Sequence, residues 1–388
     1  MRAPSMLLVG QLPPPPNGMT LTTQALLSSE IVESLRVTHI DTSDHRAISN
    51  VGTLDLHNIL LALKHGLKFA VALLRVRPDV IYLPVARNRL GFLRDVLFLV
   101  PARLSRKPVV VHLHSTSFAE YYGEESLVMR ALIRLAFGPR THAIVLAESL
   151  RDAFGPLVPL ERTHVVPNGV PDVGGGPPAE TRPPIVVHMT TMWTEKGVFD
   201  VLEIAARIRG LVPEARFLLA GPWYAERERA TAVQEVARLG LKDTVSLLGP
   251  VAGEGKARLL HEASVFLFPS RYRFECQPLV ILEALAAGTP VVATRIGVLE
   301  ETIQDGVEGF LTPVGDQEAL FTRTLTVLRD RALRGQIGTA ARRRYERDFQ
   351  LDKYADLLTG VLARIVTPES TEAAEVQRQE TLAGARHD

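Results

Sequence analysis

Short apolar runs alternate with helical segments along most of the chain, and this rhythm limits the fold more than any other feature. MLLV, DVIYLP, VVVHLH and AIVLA are almost wholly apolar, which is typical of parallel strands covered on both faces. Between them, stretches such as NILLALKHGLKFAVALLRV place apolar residues at helical intervals. The alternation predicts doubly wound α/β sheets, whose ligands bind beyond the carboxyl ends of the strands.

A stretch rich in proline and glycine interrupts this rhythm at residues 171–184 (PDVGGGPPAETRPP). Such a composition marks a flexible connection between domains. The alternation restarts with IVVHM, and 388 residues suit two domains better than one core. We therefore predict one Rossmann-like domain over 1–175, a second over 176–345, and a polar, mobile tail over 366–388.

Composition excludes several classes of protein. The net charge of +1 provides no general attraction for nucleic acid. The single cysteine, Cys276, excludes an internal disulfide and a cysteine-based metal cage, and it favours a reducing compartment. We find no pattern of a signal peptide, and no apolar run reaches the ~18–20 residues of a membrane span. We therefore expect a cytoplasmic protein, attached at most to the inner face of a membrane.

The most informative stretch runs from Phe268 to Thr294 (FPSRYRFECQPLVILEALAAGTPVVAT). A strand ends in a loop that carries Glu275, and Pro278 suits the first turn of a helix, because its missing N–H costs nothing there. That helix contains Glu283 and ends at Gly288. Free backbone N–H groups and the positive dipole end make the start of this helix a ready anion site.

Seven residues separate Glu275 from Glu283, and the whole stretch resembles the E-x7-E signature of retaining GT-B glycosyltransferases, closely so that of family 4. The resemblance implies two Rossmann-like domains that face each other across a cleft. It assigns the hydroxyls of the donor sugar to Glu275 and the nucleotide ribose to Glu283. It also implies that the intervening backbone holds the sugar and the diphosphate, through Cys276, Gln277, Leu279 and Val280. A buried helix with a chance pair of glutamates is the alternative.

TEKGVFDVLEIAARI resembles the lysine motif of the same family, in which the lysine contacts the diphosphate; that residue is Lys196 here. The family commonly has an arginine five residues earlier, where this chain has Thr191. Another cation must then help to neutralise the phosphates, and Arg271 and Arg273 are candidates. The alternative for each charged residue is a solvated position on the surface.

The N-terminal half also resembles the family in two places. QLPPPPNGMT follows the first strand, and the resemblance implies that an amide at Gly18 approaches the donor phosphate or the acceptor. VVVHLHSTSF resembles the strand that ends in a histidine beside the reacting sugar, which makes His114 a candidate catalytic residue. His112 shares its strand face and is the reserve candidate. An ordinary proline-rich turn and a structural histidine are the alternatives.

Later segments follow the family's order. LLAGPW and VSLLGPV resemble the strands whose ends form the base pocket, so Gly221 and Val251 are expected to border the nucleotide base. PNGV at 167–170 matches the turn before the interdomain linker, and the stretch over 346–365 resembles the helix that returns to the first domain. The resemblance assigns the acceptor to the first domain and the nucleotide sugar to the second.

The function implied is transfer of a sugar from a nucleotide-diphosphate donor to a hydroxyl, with retention of the anomeric configuration and with Lys196, Glu275 and His114 in the catalytic roles. No cofactor and no metal are expected, because no D-x-D or H-x-x-H cluster follows a strand. A soluble natural-product glycosyltransferase, a GT-B epimerase or phosphorylase, and a catalytically silent GT-B binding protein are the alternatives.

The acceptor is predicted from one mixed stretch, GFLRDVLFLVPARLSRKP. It combines apolar residues with Arg94, Arg103, Arg106 and Lys107, a mixture that can lie on an anionic membrane surface. This favours a lipid-linked or polysaccharide-precursor acceptor and peripheral membrane contact. The alternative is an ordinary helix that buries its apolar side on the sheet.

Overall fold

The structure, a computed structural model, describes residues 4–13, 18–28, 32, 35–43 and 56–366. By their contacts these residues form two compact units. The first contains the described residues up to Val166 and from Tyr354 onward, and the second is Pro167–Lys353. The tail expected after residue 366 lies outside the described residues.

Six strands form the sheet of the first unit, and every neighbouring pair is parallel. They are β1 (Ser5–Gly10), β2 (Arg36–Asp41), β3 (Val80–Pro84), β4 (Val109–His112), β5 (Thr141–Val145) and β6 (Thr163–Val165). Their order is β2-β1-β3-β4-β5-β6, so the direction of winding reverses between β1 and β3. The apolar runs of the sequence supply β1, β3, β4 and β5, as predicted.

In the described part of the first unit, five helices with defined bounds precede the linker. They are α1 (Gly18–Leu27), α2 (Leu56–Val76), α3 (Arg89–Leu104), α4 (Phe118–Glu124) and α5 (Leu127–Ala136). The stretch predicted to lie on a membrane falls on α3, and its residues Phe92, Phe98 and Leu99 are fully buried in the core. These buried side chains favour the alternative of an ordinary helix that covers the sheet, although Leu93 and Leu104 of the same helix are 41% and 76% exposed.

The second unit repeats the architecture with another six parallel strands. They are β7 (Ile185–Met189), β8 (Arg216–Ala220), β9 (Val245–Gly249), β10 (Val265–Phe268), β11 (Val291–Thr294) and β12 (Gly309–Thr312). The order β12-β11-β10-β7-β8-β9 places β7 beside β10, where the winding reverses. In open α/β sheets this switch point is where ligands bind.

Seven helices belong to the second unit. They are α6 (Val198–Arg209), α7 (Glu226–Arg238), α8 (Gly253–Glu262), α9 (Leu279–Ala286), α10 (Leu299–Thr302), α11 (Gln317–Arg329) and α12 (Arg331–Asp348). α9 is apolar on nearly every side and lies in the core. The two parallel sheets with their helices confirm the predicted α/β class with two Rossmann-like domains.

The C-terminal part of the described chain contains two helices where the sequence suggests one. α12 ends at Asp348, and α13 (Leu351–Val366) follows after a short break. At that break the backbone of Gln350 pairs with Val170 inside the second unit. The chain joins the first unit at Tyr354, which is buried. The chain therefore passes from one unit to the other between residues 166 and 167 and between residues 353 and 354. The boundaries predicted from the sequence are residues 175 and 345.

No helix in the described part of the chain is both long enough and apolar enough to cross a membrane.

A comparison of two glycines of the second unit tests how closely the loop after β7 packs against the loop after β10. Gly197 and Gly315 have left-handed backbones with φ of 85° and 84°, respectively. A Cβ on Gly197 would lie 2.4 Å from the carbonyl oxygen of Pro269, whereas one on Gly315 would meet no atom within 4 Å. We expect Gly315→Ala to cost about 1–2 kcal/mol from backbone strain and Gly197→Ala to cost clearly more. Urea unfolding measures both, and equal losses would contradict the close approach.

Candidate active site

The loops that follow β7 and β10 bring two predicted site residues together. Lys196 lies in a single helical turn just before α6, and Glu275 lies in the loop between β10 and α9. The Lys196 Nζ is 2.5 Å from Glu275 Oε2, and the side chains are 14% and 10% exposed. Because β7 and β10 are neighbours at the switch point, their carboxyl ends place this pair where a ligand of such a sheet binds.

Several contacts hold the Glu275 carboxylate in place. Ser270 Oγ donates a hydrogen bond of 2.9 Å to Oε2, the oxygen that also accepts from Lys196. The Ser270 carbonyl in turn accepts from the hydroxyl of Thr294 at the end of β11. The Oε1 oxygen of Glu275 accepts no hydrogen bond from the described residues, so it is free to accept one from a hydroxyl group.

Gly297 supports the backbone of the same loop. Its φ is 59°, and a Cβ there would lie 2.4 Å from the carbonyl oxygen of Cys276 and 2.5 Å from that of Glu275. The next residue, Val298, donates its N–H to the Cys276 carbonyl over 3.1 Å. The β11–α10 loop therefore packs directly under the glutamate loop, at a distance that only glycine permits.

The helix predicted to hold an anion, α9, begins at Leu279. Pro278 is its N-cap, and no side chain caps the helix. The first amides of a helix have no partner within it, so the N–H groups of Leu279 and Val280 are available to a ligand. The positive end of the helix dipole favours an anion at the same place.

Two other residues of this segment are held inside the protein. Burial, with Glu275 nearby, raises the pKa of the Cys276 thiol to about 12, so the thiol stays protonated and is a poor nucleophile. The Gln277 side chain accepts from the backbone N–H of Asn168 over 2.7 Å and donates to Thr302 over 3.3 Å. These contacts tie the segment to the turn at 167–170.

Glu283, the second glutamate, has a cation partner that the sequence analysis did not identify. Lys256 on α8 lies 2.5 Å from its carboxylate, and the two side chains are 22% and 13% exposed. Burial raises the pKa of Glu283 above its ordinary value, and the charge of Lys256 opposes that rise. Val251 is half-buried in the loop that leads into α8. In the sequence, Lys256 lies on the helix that follows the loop predicted to border the base, and this position could have indicated it as the partner.

Arg271, the candidate second cation, forms an ion pair with Asp200 on α6, and its side chain is 41% exposed. Asp200 also accepts from Gln317 Nε2 over 2.7 Å. The charge of Arg271 is thus largely neutralised in the structure. The guanidinium of Arg273 lies over the ring of Phe274, 4.7 Å from its centroid.

A cluster of three aromatic rings begins beside Lys196, and sequence reasoning missed it. The Lys196 Nζ lies 4.5 Å from the centroid of the Tyr272 ring. Trp193 lies 5.5 Å from Tyr272 and stacks on Tyr224 with centroids 4.5 Å apart. The three rings follow β7, β8 and β10. The chain has only two tryptophans and seven tyrosines. The positions of Trp193, Tyr224 and Tyr272 just after three strands could therefore have indicated the cluster from the sequence.

A buried histidine lies at the same switch point. His188 is on β7, and its Nδ1 lies 3.0 Å from the carbonyl oxygen of Leu267 on β10. Its other nitrogen, Nε2, is buried without a hydrogen-bond partner among the described residues. Burial lowers the pKa of His188 to about 4, so its ring is neutral at pH 7.

The histidines predicted in the first unit lie at the end of β4. His112 is the last residue of the strand, and its Nδ1 is 2.5 Å from the hydroxyl of Tyr82. The ring of His114 lies 4.0 Å from that of His112, centroid to centroid. Burial lowers the pKa of His114 to about 4, and burial together with His114 lowers the pKa of His112 well below its ordinary value. Both rings are neutral at pH 7.

Gly18 is the first residue of α1, and residues 14–17 of the predicted proline-rich loop lie outside the described residues. In the described part of the chain, no group of three or more His, Cys, Asp or Glu side chains is arranged to hold a metal ion.

The pair between Lys256 and Glu283 predicts a pH dependence. Lys256→Met removes the charge that opposes protonation of Glu283, so the pKa of Glu283 rises further above 4.5. A carboxyl with a higher pKa in the folded state holds its proton more tightly there, so the free energy of unfolding falls as pH rises above 4.5. We expect a steeper fall for Lys256→Met than for the wild type, measured by urea unfolding from pH about 4.5 to about 8.

The matched control is the double variant Lys256→Met/Glu283→Gln. It lacks the titrating carboxyl, so the additional pH dependence should disappear. If Lys256→Met and the wild type show parallel pH profiles, Lys256 is not the cation that controls Glu283.

Comparison with known sequences finds a match to a family model within the second unit. Residues 176–344 match the glycosyl transferases group 1 family. N-acetyl-alpha-D-glucosaminyl L-malate synthase of Bacillus anthracis is 33% identical over 169 residues, which are 44% of this chain and 42% of that protein. Glycogen synthase of Mycobacterium tuberculosis is 30% identical over 260 residues, 62% of this chain and 59% of that protein. The chain thus spans less than two thirds of the length of either relative.

Solved structures extend the likeness to nearly the whole chain. Anabaena Alr3699/HepE in complex with UDP superimposes with a TM-score of 0.73, over 92% of this chain and 99% of that one, at 20% identity. The same protein in complex with UDP-glucose has a TM-score of 0.72 at 21% identity, with the same coverage. At this level of identity the likeness concerns the fold. Residues 176–344 thus resemble the glycosyl transferases group 1 family, and the chain has the GT-B fold of these structures.

Proposed function

We propose that this protein is a glycosyltransferase that transfers a sugar from a nucleotide-diphosphate donor to a hydroxyl acceptor, with retention of the anomeric configuration. The observation that carries the proposal is the contact of Lys196 with Glu275 at the switch point, beside a helix start without a capping side chain. This arrangement combines a cation, free amides and a carboxylate acceptor, which are the groups that a sugar diphosphate requires.

Departure of the nucleotide diphosphate builds negative charge on its oxygens, and preorganised donors stabilise such charge best. Lys196 and the amides of Leu279 and Val280 supply these donors. In the structure Lys196 and Glu275 neutralise each other, so a bound diphosphate competes with the carboxylate for the ammonium group. Glu275, still held by Ser270, then accepts hydrogen bonds from hydroxyls of the donor sugar.

The remaining site residues take the roles that the family resemblance implies. Glu283 accepts from the ribose hydroxyls, and the charge of Lys256 opposes protonation of its carboxylate. Val251 and Gly221 border the base, and Gly18 contributes a main-chain amide. Arg271 can contact the phosphates only after it leaves Asp200. We therefore assign Arg271 a smaller part than Lys196 in neutralising the phosphate charge.

His114 acts as a neutral hydrogen-bonding group beside the reacting sugar. The low pKa of its imidazole means that its ring nitrogens provide one donor and one acceptor at neutral pH. The leaving phosphate itself deprotonates the acceptor hydroxyl, which is consistent with retention and requires no carboxylate nucleophile. Membership of family 4 and a cytoplasmic location are part of the same proposal.

The comparisons support the donor class and leave a wide choice of acceptors. The Anabaena protein was solved with UDP and with UDP-glucose, which supports a nucleotide-sugar donor here. The related proteins from Bacillus and Mycobacterium are named for a malate glycoside and for glycogen, so their acceptors differ widely. We propose a lipid-linked or polysaccharide-precursor hydroxyl for this chain, together with peripheral membrane contact.

A turnover screen of the purified protein against nucleotide sugars tests the proposal. Release of free nucleotide diphosphate that depends on an acceptor supports transfer, and NMR of the product reports its anomeric configuration. Linkage predicts that the true donor, at 100 times its Kd, stabilises the protein by about 2.7 kcal/mol. Donor binding without turnover on any acceptor would instead indicate a silent binding protein.

Two single substitutions test the roles of the central pair. Lys196→Ala and Glu275→Ala should each lower turnover by about a hundredfold or more, because each removes charge-assisted contacts with the donor. Lys242→Ala and Glu214→Ala remove exposed charges of the same unit and serve as matched controls. A variant that keeps its circular dichroism spectrum and near-normal turnover at saturating donor would contradict the role assigned to that residue.

The proposal also specifies metal independence. We expect turnover to be unchanged after treatment with EDTA, because Lys196 and the start of α9 supply the positive charge that a divalent cation would otherwise provide. Loss of activity with EDTA that magnesium or manganese restores would contradict this part of the mechanism.

A further inference from the structure

Helix α2 (Leu56–Val76) presents an apolar stripe to the solvent. Seven of its large apolar side chains are exposed, from 38% for Val71 to 76% for Leu74. They are Leu56, Ile59, Leu60, Leu63, Leu67, Val71 and Leu74. These are a third of the 21 exposed large apolar side chains in the described part of the chain. Exposed leucines scattered singly need no explanation, but a concentration of this kind on one helix marks an interaction surface.

The stripe is not the face that packs on the protein. α2 buries His65, Phe69 and Leu73 against the first unit. A helix turns by about 100° per residue, so the seven exposed residues fall within an arc of about 120° whose centre is roughly opposite the buried face. The helix therefore has two apolar faces, and only one of them is covered by the protein.

The charges on α2 lie along one edge of the stripe. Lys64, Lys68 and Arg75 fall within about 40° of each other on the helix circumference, next to the exposed leucines. The helix contains no aspartate or glutamate over its 21 residues. An apolar face bordered only by cations is the pattern of a helix that lies in the interface of an anionic membrane.

We infer that the exposed face of α2 binds the surface of a membrane that contains anionic lipid. The leucine stripe enters the boundary between headgroups and acyl chains, and the three cations contact the lipid phosphates. A second copy of the chain fits this face less well, because a two-fold contact sets the same surface against itself and brings like charges together. The binding site is on α2, in place of the α3 stretch indicated by the sequence, and it requires no catalytic activity.

Vesicle flotation of the full chain tests the inference. The probes are vesicles of phosphatidylcholine alone and vesicles with phosphatidylglycerol added, at low salt and at about 0.5 M NaCl, where charges are strongly screened. We expect the wild type to float with the anionic vesicles at low salt and to bind at least tenfold less to neutral vesicles or in high salt. A wild-type protein that stays at the bottom of the gradient with anionic vesicles would overturn the inference.

Substitutions on the stripe locate the binding surface. Leu60→Ser/Leu67→Ser/Leu74→Ser changes only exposed side chains, so the variant should keep the Tm of the wild type and lose at least tenfold in the vesicle-bound fraction. The matched control, Leu211→Ser/Val233→Ser/Val314→Ser, removes exposed apolar side chains from the second unit and should bind as the wild type does. Unchanged binding by the α2 variant would overturn the inference.

Two further measurements separate the remaining outcomes. Light scattering after size exclusion reports the oligomeric state, and a wild-type dimer that the α2 variant converts into a monomer would assign the face to a second copy and overturn the membrane inference. Thermal stabilisation by the nucleotide-sugar donor needs neither acceptor nor vesicle. It should be the same in the wild type and the α2 variant, so failure of the proposed function and failure of this inference are distinguishable.

Discussion

The parallel pairing of β7 with β10 is the constraint on which the candidate site depends. These strands are neighbours although α6, β8, α7, β9 and α8 separate them along the chain. Because parallel strands end at the same edge of a sheet, Lys196 and Glu275 project from adjacent strand ends. Each charge alone would lose hydration in its largely buried position, and the pair offsets that loss through a short, charge-assisted contact.

The second unit contains further ion pairs of this kind around the switch point. Lys196–Glu275, Lys256–Glu283 and Arg271–Asp200 each join a cation and a carboxylate from different elements. The pairs keep the edge of the sheet nearly neutral while holding charged groups in defined places. Binding of a diphosphate then becomes an exchange of partners, in which phosphate oxygens replace a carboxylate at a cation that is already positioned. Such preorganisation is what stabilises charge that develops during a reaction.

The first unit shares the architecture but has a different chemistry. Its histidines at the end of β4, the buried His112 and the half-buried His114, are neutral, so they can position hydroxyl groups without adding charge. Its charged and apolar surface lies instead on α2, away from the buried face of that helix. In our proposal the charge-bearing unit holds the donor, and the other unit brings an acceptor from a membrane surface.

The sequence by itself determined the α/β class with two Rossmann-like domains, because continuous apolar runs and a glycine-rich linker are local patterns. It also identified Lys196, Glu275 and Glu283 as candidate site residues, because the lysine motif and the E-x7-E spacing are local patterns too. Only the tertiary structure decided which side chains contact each other at the candidate site. The partners Lys196 and Glu275 are 79 positions apart. Lys256, Asp200 and the aromatic cluster that begins at Tyr272 join the site through strand order, which no local pattern contains. The same limit explains α2 and α3: periodicity identifies an apolar face, but only packing determines whether the protein covers it.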